Sequence, residues 1–227
     1  MLFESDTIGF MVSDFYLTAI MQKINYQKIL EETIKNNLSQ NLRPTLLIHS
    51  CCAPCSSYCL DYLSKYFRIT VYYYNPNIYP PEEYTHRVAE QQRLIGLLND
   101  GIPDDKFKIG FIEGPFERDV FYETVKGMED LPEGGERCFK CYELRLRHAA
   151  QTAKENHFDY FTTTLTLSPL KNSRKINEIG SKIADEYGIA YLFSDFKKNE
   201  GFKKSIELSH KFNLYRQNYC GCEYSIG

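Results

Sequence analysis

The run Thr45-Leu-Leu-Ile-His49 is short, almost wholly apolar, and passes without a spacer into Ser50-Cys51-Cys52-Ala53-Pro54-Cys55. An apolar run of this length bounded by turn-formers reads as a strand buried on both faces, the habit of parallel sheets. A strand of that kind needs helices on either side. The rest of the chain supplies the alternation. A helix is predicted through Leu63, a strand over 69–74, the turn-rich segment Asn75-Pro-Asn-Ile-Tyr-Pro-Pro81, and a helix over 82–98. A third strand over 107–112 and a helix near 119–125 follow. A loop over 129–136, with Pro132, Gly134 and Gly135, then delivers Arg137-Cys138-Phe139-Lys140-Cys141 to a helix over 142–156.

Residues 158–165 are rich in strand formers, and Ser168-Pro169 offers an N-cap and a first-turn proline for the next helix, which Gly188 closes. A last strand is expected over 189–193. Strands alternating with helices imply a parallel sheet with right-handed crossovers. The expected fold is therefore α/β, a Rossmann-like parallel sheet flanked by helices. Ahead of it, residues 16–38 place Leu17, Ile20, Met21, Ile24, Ile29, Leu30 and Ile34 near helical spacing. Residues 1–43 are thus expected to form a helical N-terminal extension. Residues 44–227 would be a single α/β catalytic domain with a cysteine-rich metal site and a C-terminal C-x-C segment.

Hydrophobic residues at 43% and charged residues at 25% suffice for a packed core, so the eight cysteines are not needed as staples. No apolar run reaches the roughly 18 residues of a membrane span. Glu4, Asp6 and Asp14 sit where a signal peptide needs positive charge. A cytoplasmic location is expected, with no membrane partner, and thiols in a reducing compartment point to metal or redox chemistry.

In open parallel sheets, ligands gather outside the carboxyl ends of the strands. Cys51 and Cys52 follow the first strand, Asn75 and Asn77 the second, and Asp195 the last. A zinc ribbon wants two C-x₂-C knuckles about 15–20 residues apart. Here Cys52 and Cys138 are 86 residues apart and the first pair is adjacent. Adjacent thiols that point apart suit the corners of an iron–sulfur cube or two neighbouring metals better than one small ion. Cys51, Cys52, Cys138 and Cys141 make the usual complement for a [4Fe–4S] cluster, with zinc at the same thiols as the rival. Cys55 reads as a further ligand, to an open cluster position or an additional iron, or as a supporting thiol. Cys59, one turn later, reads as a small core residue. The pair Cys220-Gly221-Cys222 can close a readily reduced disulfide or bind metal, and spacing does not separate the two.

No glycine-rich phosphate loop is present, which disfavours bound NAD or ATP. His49 is the one histidine near the cysteines. Net charge is −3, yet from Phe161 onward ten basic residues face seven acidic ones. Lys171, Arg174 and Lys175 in the first turns of the helix opened by Ser168-Pro169 could hold a phosphate, with Lys197, Lys198, Lys203 and Lys204 adding charge. Tyr72, Tyr73, Tyr74, Tyr79 and Tyr84 could stack an extruded base or simply fill the core.

Five motifs in order carry a resemblance. They are His49-Ser-Cys-Cys-Ala-Pro-Cys-Ser56, Tyr74-Asn-Pro-Asn-Ile78 with Glu83-Tyr84, Pro132-Glu-Gly-Gly-Glu-Arg-Cys138 with Cys141, Thr162-Thr-Thr-Leu-Thr-Leu-Ser-Pro169, and Asp195-Phe-Lys-Lys198 through Tyr215-Arg-Gln-Asn-Tyr-Cys-Gly-Cys222. Together, from about Leu46 to Tyr224, they resemble the QueH family of epoxyqueuosine reductases. The resemblance implies a nucleotide-α-hydrolase-like sheet. It also implies removal of the epoxide oxygen of epoxyqueuosine at the tRNA wobble position, the last step of queuosine biosynthesis. A [4Fe–4S] cluster on Cys51, Cys52, Cys138 and Cys141 and a redox-active pair at Cys220 and Cys222 are implied with it. The partners would be tRNA carrying epoxyqueuosine in its anticodon and an unidentified electron donor. Asp195, Glu83 or a tyrosine hydroxyl could deliver protons. Two other classes stay open at this stage: a thiol–disulfide oxidoreductase with a structural metal, and a zinc-stabilised RNA-binding module.

Overall fold

The computed structural model describes residues 24–226 apart from 101, 104 and 105. Five strands form one all-parallel sheet in the spatial order β3-β2-β1-β4-β5. They are β1 (Thr45–His49), β2 (Arg68–Tyr73), β3 (Gly110–Glu113), β4 (Tyr160–Thr163) and β5 (Ala190–Tyr191). Seven described α-helices flank them: α1 (Tyr26–Ser39), α2 (Ala53–Leu63), α3 (Pro81–Asn99), α4 (Arg118–Val125), α5 (Glu136–Glu155), α6 (Ser173–Tyr187) and α7 (Gly201–Lys211). The α/β expectation holds.

The central strand explains its own composition. Leu46 pairs with Ile69 on one side and Tyr160 on the other, and Ile48 with Val71 and Thr162. Successive residues face opposite layers, so Leu46 and Ile48 pack with Leu30, Leu60, Leu63, Leu94 and Phe196. Leu47 packs with Leu146, Ala149, Ala150, Ile176 and Ile183 on the other face. Both layers are dry, which a half-polar strand could not satisfy. Helix α1 belongs to the first layer through Leu30 and Ile34. The part of the expected N-terminal helix that falls on residues 1–23 lies outside the described residues.

Several boundaries move, each for a local reason. Strand β3 starts at Gly110 rather than 107. The Asn99 side chain takes both backbone groups of Ile109, its Nδ2 donating to the carbonyl at 2.9 Å and its Oδ1 accepting the N–H at 2.8 Å. Phe107 stays exposed beneath the guanidinium groups of Arg43 and Arg68. Helix α5 starts at Glu136, six residues earlier than expected, because the chain leaves its loop at Gly134, with φ +86°, and Gly135 stands at the N-cap. Cys138 and Cys141 therefore ride on a helix, not on a loop.

Helix α6 begins at Ser173, not at Ser168. Asn172 is the N-cap, its side chain accepting from the Lys175 N–H at 3.1 Å. Ser168 instead closes a 3₁₀ turn over Thr164–Leu167, nucleated where Thr163 Oγ1 accepts the Leu165 N–H. That turn also shortens β4 against the expected 158–165. Gly188 ends α6 with φ +62°, as expected.

Candidate functional site

Strand order reverses between β1 and β4, which opens a crevice at their carboxyl ends. The cysteine run starts there. Ser50 extends β1 by donating its N–H to the Tyr72 carbonyl, and the Cys51 N–H reaches Thr164 Oγ1 at 3.4 Å. Cys52 is extended, with φ −173°, and stands at the N-cap of α2. The chain thus turns from strand to helix between the two cysteines. Their thiols, expected to diverge, converge to 3.8 Å. Cys55 comes round one helical turn, and the sulfurs of Cys51, Cys52 and Cys55 all lie within 4.8 Å of one another. Beneath them Ser50 Oγ donates to Gln91 Oε1 at 2.7 Å, and Ser56 Oγ lies 2.9 Å from both that oxygen and the Cys52 carbonyl.

Cys138 and Cys141 border the crevice from α5, both buried. They do not join the close trio at that spacing. Cys51 packs against the apolar cluster that contains Cys138, and Cys141 shares another with Cys222, Phe121 and Val125. The Gly134 N–H points at Cys138 Sγ, 3.2 Å away. Cys220 and Cys222 are free thiols, the first half-buried and the second buried. Cys220 lies near enough to Cys138 and Cys141 to act on both electrostatically, and Arg145 does the same for Cys51, Cys141 and Cys220. Cys59 is fully buried in the core, as expected.

The C-x-C segment is held from three sides. Tyr79 donates its N–H to the Gly221 carbonyl at 2.8 Å, and Arg87 Nη1 donates to the Cys220 carbonyl at 3.3 Å while its guanidinium lies over the Tyr219 ring. Arg137 lies over the Tyr224 ring and donates to the Tyr224 carbonyl at 3.4 Å. Gly221 has φ +133°, and a Cβ there would meet Arg87 Nη1, Ile78 Cγ1 and Asn77 Nδ2 at 3.2–3.3 Å. Glycine is required at this point on both counts.

One buried cation ties the walls together. Arg145, one turn past Cys141 on α5, is 2% exposed. Its Nη1 lies 3.8 Å from Cys141 Sγ, Nη2 donates to Asn75 Oδ1 at 2.6 Å, and Nε points at His49 Nε2 at 3.3 Å. Asn75 in turn donates to the Ser50 carbonyl. Burial, with Arg145 beside it, lowers the His49 pKa to about 3, so the ring is neutral. The ring is held on both sides, its Nδ1 2.9 Å from Thr163 Oγ1 and its Nε2 3.1 Å from the Tyr74 carbonyl beside Arg145.

The thiols are unequal. Cys51 is held well below the ordinary thiol range, because the S–H groups of Cys52 and Cys55 donate to it and Lys171 and Arg145 add positive charge against the opposing effect of burial. Donating to Cys51 pushes Cys52 up to about 12 and raises Cys55 too. Burial raises Cys141 to about 11, against Arg145. Within the trio the two S–H donors favour negative charge at Cys51 over Cys52 and Cys55. Burial works to lower Lys171, but the charges of Cys220, Cys51 and Cys55 outweigh it and hold its ammonium above the usual lysine range.

Other expectations come out differently. The phosphate cradle on the helix after Ser168 does not form. Asn172 occupies the α6 N-terminus, Lys171 faces the thiols, Arg174 pairs with Glu178 at 2.8 Å, and Lys175 lies over the Phe139 ring. Lys203 pairs with Glu200 and Lys197 with Asp195. Glu83 is engaged by Arg87 at 2.6 Å and by the Tyr215 hydroxyl. Tyr72, Tyr73, Tyr74 and Tyr84 are buried, whereas Tyr79 is 37% exposed beside the C-x-C segment. Arg145, Arg87 and Arg137 were not singled out from sequence. Arg145 had a usable signal, since four residues after Cys141 on a helix is the same face.

The sheet and its crevice define an α/β protein whose ligand site at the switch point is lined with thiols and buried guanidinium groups instead of a glycine-rich loop. The family model described as Epoxyqueuosine reductase QueH matches residues 46–227. The chain is 43% identical over 206 residues to Epoxyqueuosine reductase QueH of Staphylococcus epidermidis, covering 90% of this chain and 85% of that protein. It is 42% identical over 204 residues to the Streptococcus pyogenes protein of the same name, covering 90% and 79%. The Staphylococcus aureus protein is 42% identical over 206 residues. The chain belongs to the epoxyqueuosine reductase QueH family.

Proposed function

We propose that this chain reduces epoxyqueuosine in the anticodon of a tRNA to queuosine, the last step of queuosine biosynthesis, and does so in the cytoplasm. The observation that carries the reading is that the family match, residues 46–227, includes every cysteine of the crevice. No helix among the described residues is long and apolar enough to cross a membrane.

The donor set suits a metal group held by sulfur: converging thiols, with negative charge favoured at Cys51 within the trio, and cations but no carboxylate among the close trio. In this reading Cys51, Cys52, Cys138 and Cys141 hold a [4Fe–4S] cluster. The four thiols come from two elements, the β1–α2 turn and the first turns of α5. Cys55 is then free to take an additional iron. Cys220 and Cys222 form the redox-active pair. A bound cluster supplies single electrons and a Lewis-acidic iron.

Two electrons and two protons turn an epoxide into an alkene and water. The chain's part is to hold the ring dry, keep positive charge near the departing oxygen through Lys171, and stack the exposed Tyr79 on a neighbouring base. Residues 44–227 are the catalytic unit in this reading and residues 1–43 its extension. The electrons come from a one-electron donor, for which dithionite substitutes in an assay.

Protein purified without oxygen should be brown, absorb broadly near ~400 nm and hold about four iron and four sulfide per chain. Colourless protein with stoichiometric zinc would remove the cluster. With dithionite and tRNA bearing the epoxide, queuosine should form, and Cys51→Ala, Cys52→Ala, Cys138→Ala and Cys141→Ala should each abolish both cluster and product. Full activity in any one of them takes that residue out of the ligand set.

A further inference from the structure

Arg145 and Arg87, both buried at the crevice, are compensated in different ways. The Arg145 guanidinium is buried, and its hydrogen-bond partners are an imidazole, an amide and a thiol, with no carboxylate bonded to it among the described residues. A buried guanidinium with no anion is costly enough to unfold a domain of this size. Arg87 in the same crevice has Glu83 at 2.6 Å, so the fold provides a carboxylate where it needs one. For Arg145 the groups that can carry the balancing charge are sulfur. Cys141 is in contact, and Cys51 and Cys220 face it across the crevice.

Its three bonds also have a geometric sense. His49 ends β1, Asn75 follows β2, and Cys141 lies on α5. One planar fork therefore fixes three walls of the crevice relative to one another, which a lysine, with a single nitrogen, could not do.

We propose that Arg145 is the resident counter-ion of the thiol pocket: a positioning residue that locks its walls and sets how readily the loaded pocket accepts an electron. The proposal rests on the reading of the crevice as a metal pocket. Each electron added to a centre already bound by thiolates increases the buried negative charge, and a fixed cation a few ångströms away offsets it. The charge of Arg145 does not depend on pH in the working range, so the bias is permanent.

The test uses the full chain purified without oxygen, as wild type, Arg145→Lys and Arg145→Met. Methionine keeps the volume and removes the charge, and lysine keeps the charge and removes the fork. In a redox titration followed by electron paramagnetic resonance, the midpoint of Arg145→Met should fall below wild type and that of Arg145→Lys should stay near it. Equal midpoints in all three, or an equal fall in both variants, would overturn the proposal. Where Arg145→Met retains no cluster, Co²⁺ alone is titrated into the reduced chain and read by its sulfur-to-metal absorption. Four thiolates around a dication leave a net negative complex, so binding should weaken about tenfold or more in Arg145→Met and within about threefold in Arg145→Lys. Unchanged affinity in Arg145→Met, or no such absorption in the wild type, would also overturn it. Neither readout uses tRNA. An inactive chain can thus uphold the role of Arg145, and an active one can refute it.

Discussion

Lys171 and Arg174 lie three residues apart and face different surroundings. The first is half-buried among thiol charges, and the second is exposed and paired with Glu178. Lys171→Gln should lower turnover on epoxide-bearing tRNA at least about tenfold, by loss of one buried positive charge opposite a developing anion. Arg174→Glu should leave turnover within about twofold and change only the salt dependence of tRNA binding. Equal effects of the two on turnover would show that Lys171 acts through RNA binding. Gly221→Ala combines a left-handed backbone with three close contacts. It should cost about 1–3 kcal/mol in denaturant unfolding and disrupt the C-x-C segment more than the fold. The sequence made the thiols legible because cysteine is chemically conspicuous. It left Arg145 hidden and matched Lys171 with a phosphate instead of thiols, since the meaning of both depends on burial and on the lack of a carboxylate neighbour. The five tyrosines looked alike in sequence, and only the pleat of β2 and the turn after it separate buried Tyr72, Tyr73 and Tyr74 from exposed Tyr79.

Helix α6 lies against β5 at a point where a Cβ on Gly180 would overlap the Tyr191 ring. Gly180→Ala should therefore push the helix outward, destabilise the chain by about 1–3 kcal/mol despite alanine's better helix propensity, and lower the thermal midpoint without removing the thiols from the crevice. A thermal midpoint at or above wild type would mean that the helix shifts freely. Periodicity found the five strands and six of the seven described α-helices, missed α7 (Gly201–Lys211), and misjudged where several elements begin. Three of the errors trace to a side chain that takes over backbone bonds: Asn99 at Ile109, Asn172 at Lys175, Thr163 at Leu165. Such capture is a local competition that hydrophobic spacing does not register. The early start of α5 mattered most, because it puts Cys138, Cys141 and Arg145 on one rigid face.

The two layers around the sheet share one consequence for truncation. Leu30 and Ile34 of α1 are buried in the same core as Leu46 and Ile48. A chain beginning at residue 44 should lose about 3–6 kcal/mol of stability against the full chain, at roughly 1.5–3 kcal/mol per buried aliphatic side chain. Urea unfolding of the two would show it, and coincident midpoints would make α1 dispensable. Removing bound metal with a chelator under reducing conditions should likewise lower the thermal midpoint, since whatever binds only the folded crevice stabilises it by mass action. The parallel sheet and its α/β class were legible from the alternation of elements. The crevice as an assembly was not, because it joins stretches such as Arg87 and Cys220 that stand 133 residues apart in the chain.

That separation sets an order of events during synthesis. The ribosome releases Cys51, Cys52 and Cys55 long before Arg137 and Arg145, and these again before the segment that Arg87 and Tyr79 grip. Until the last of these emerges, the early thiols have neither their cation nor their cover. The nascent chain therefore passes through a stage in which the early thiols are open to solvent, and the segment that covers them arrives last.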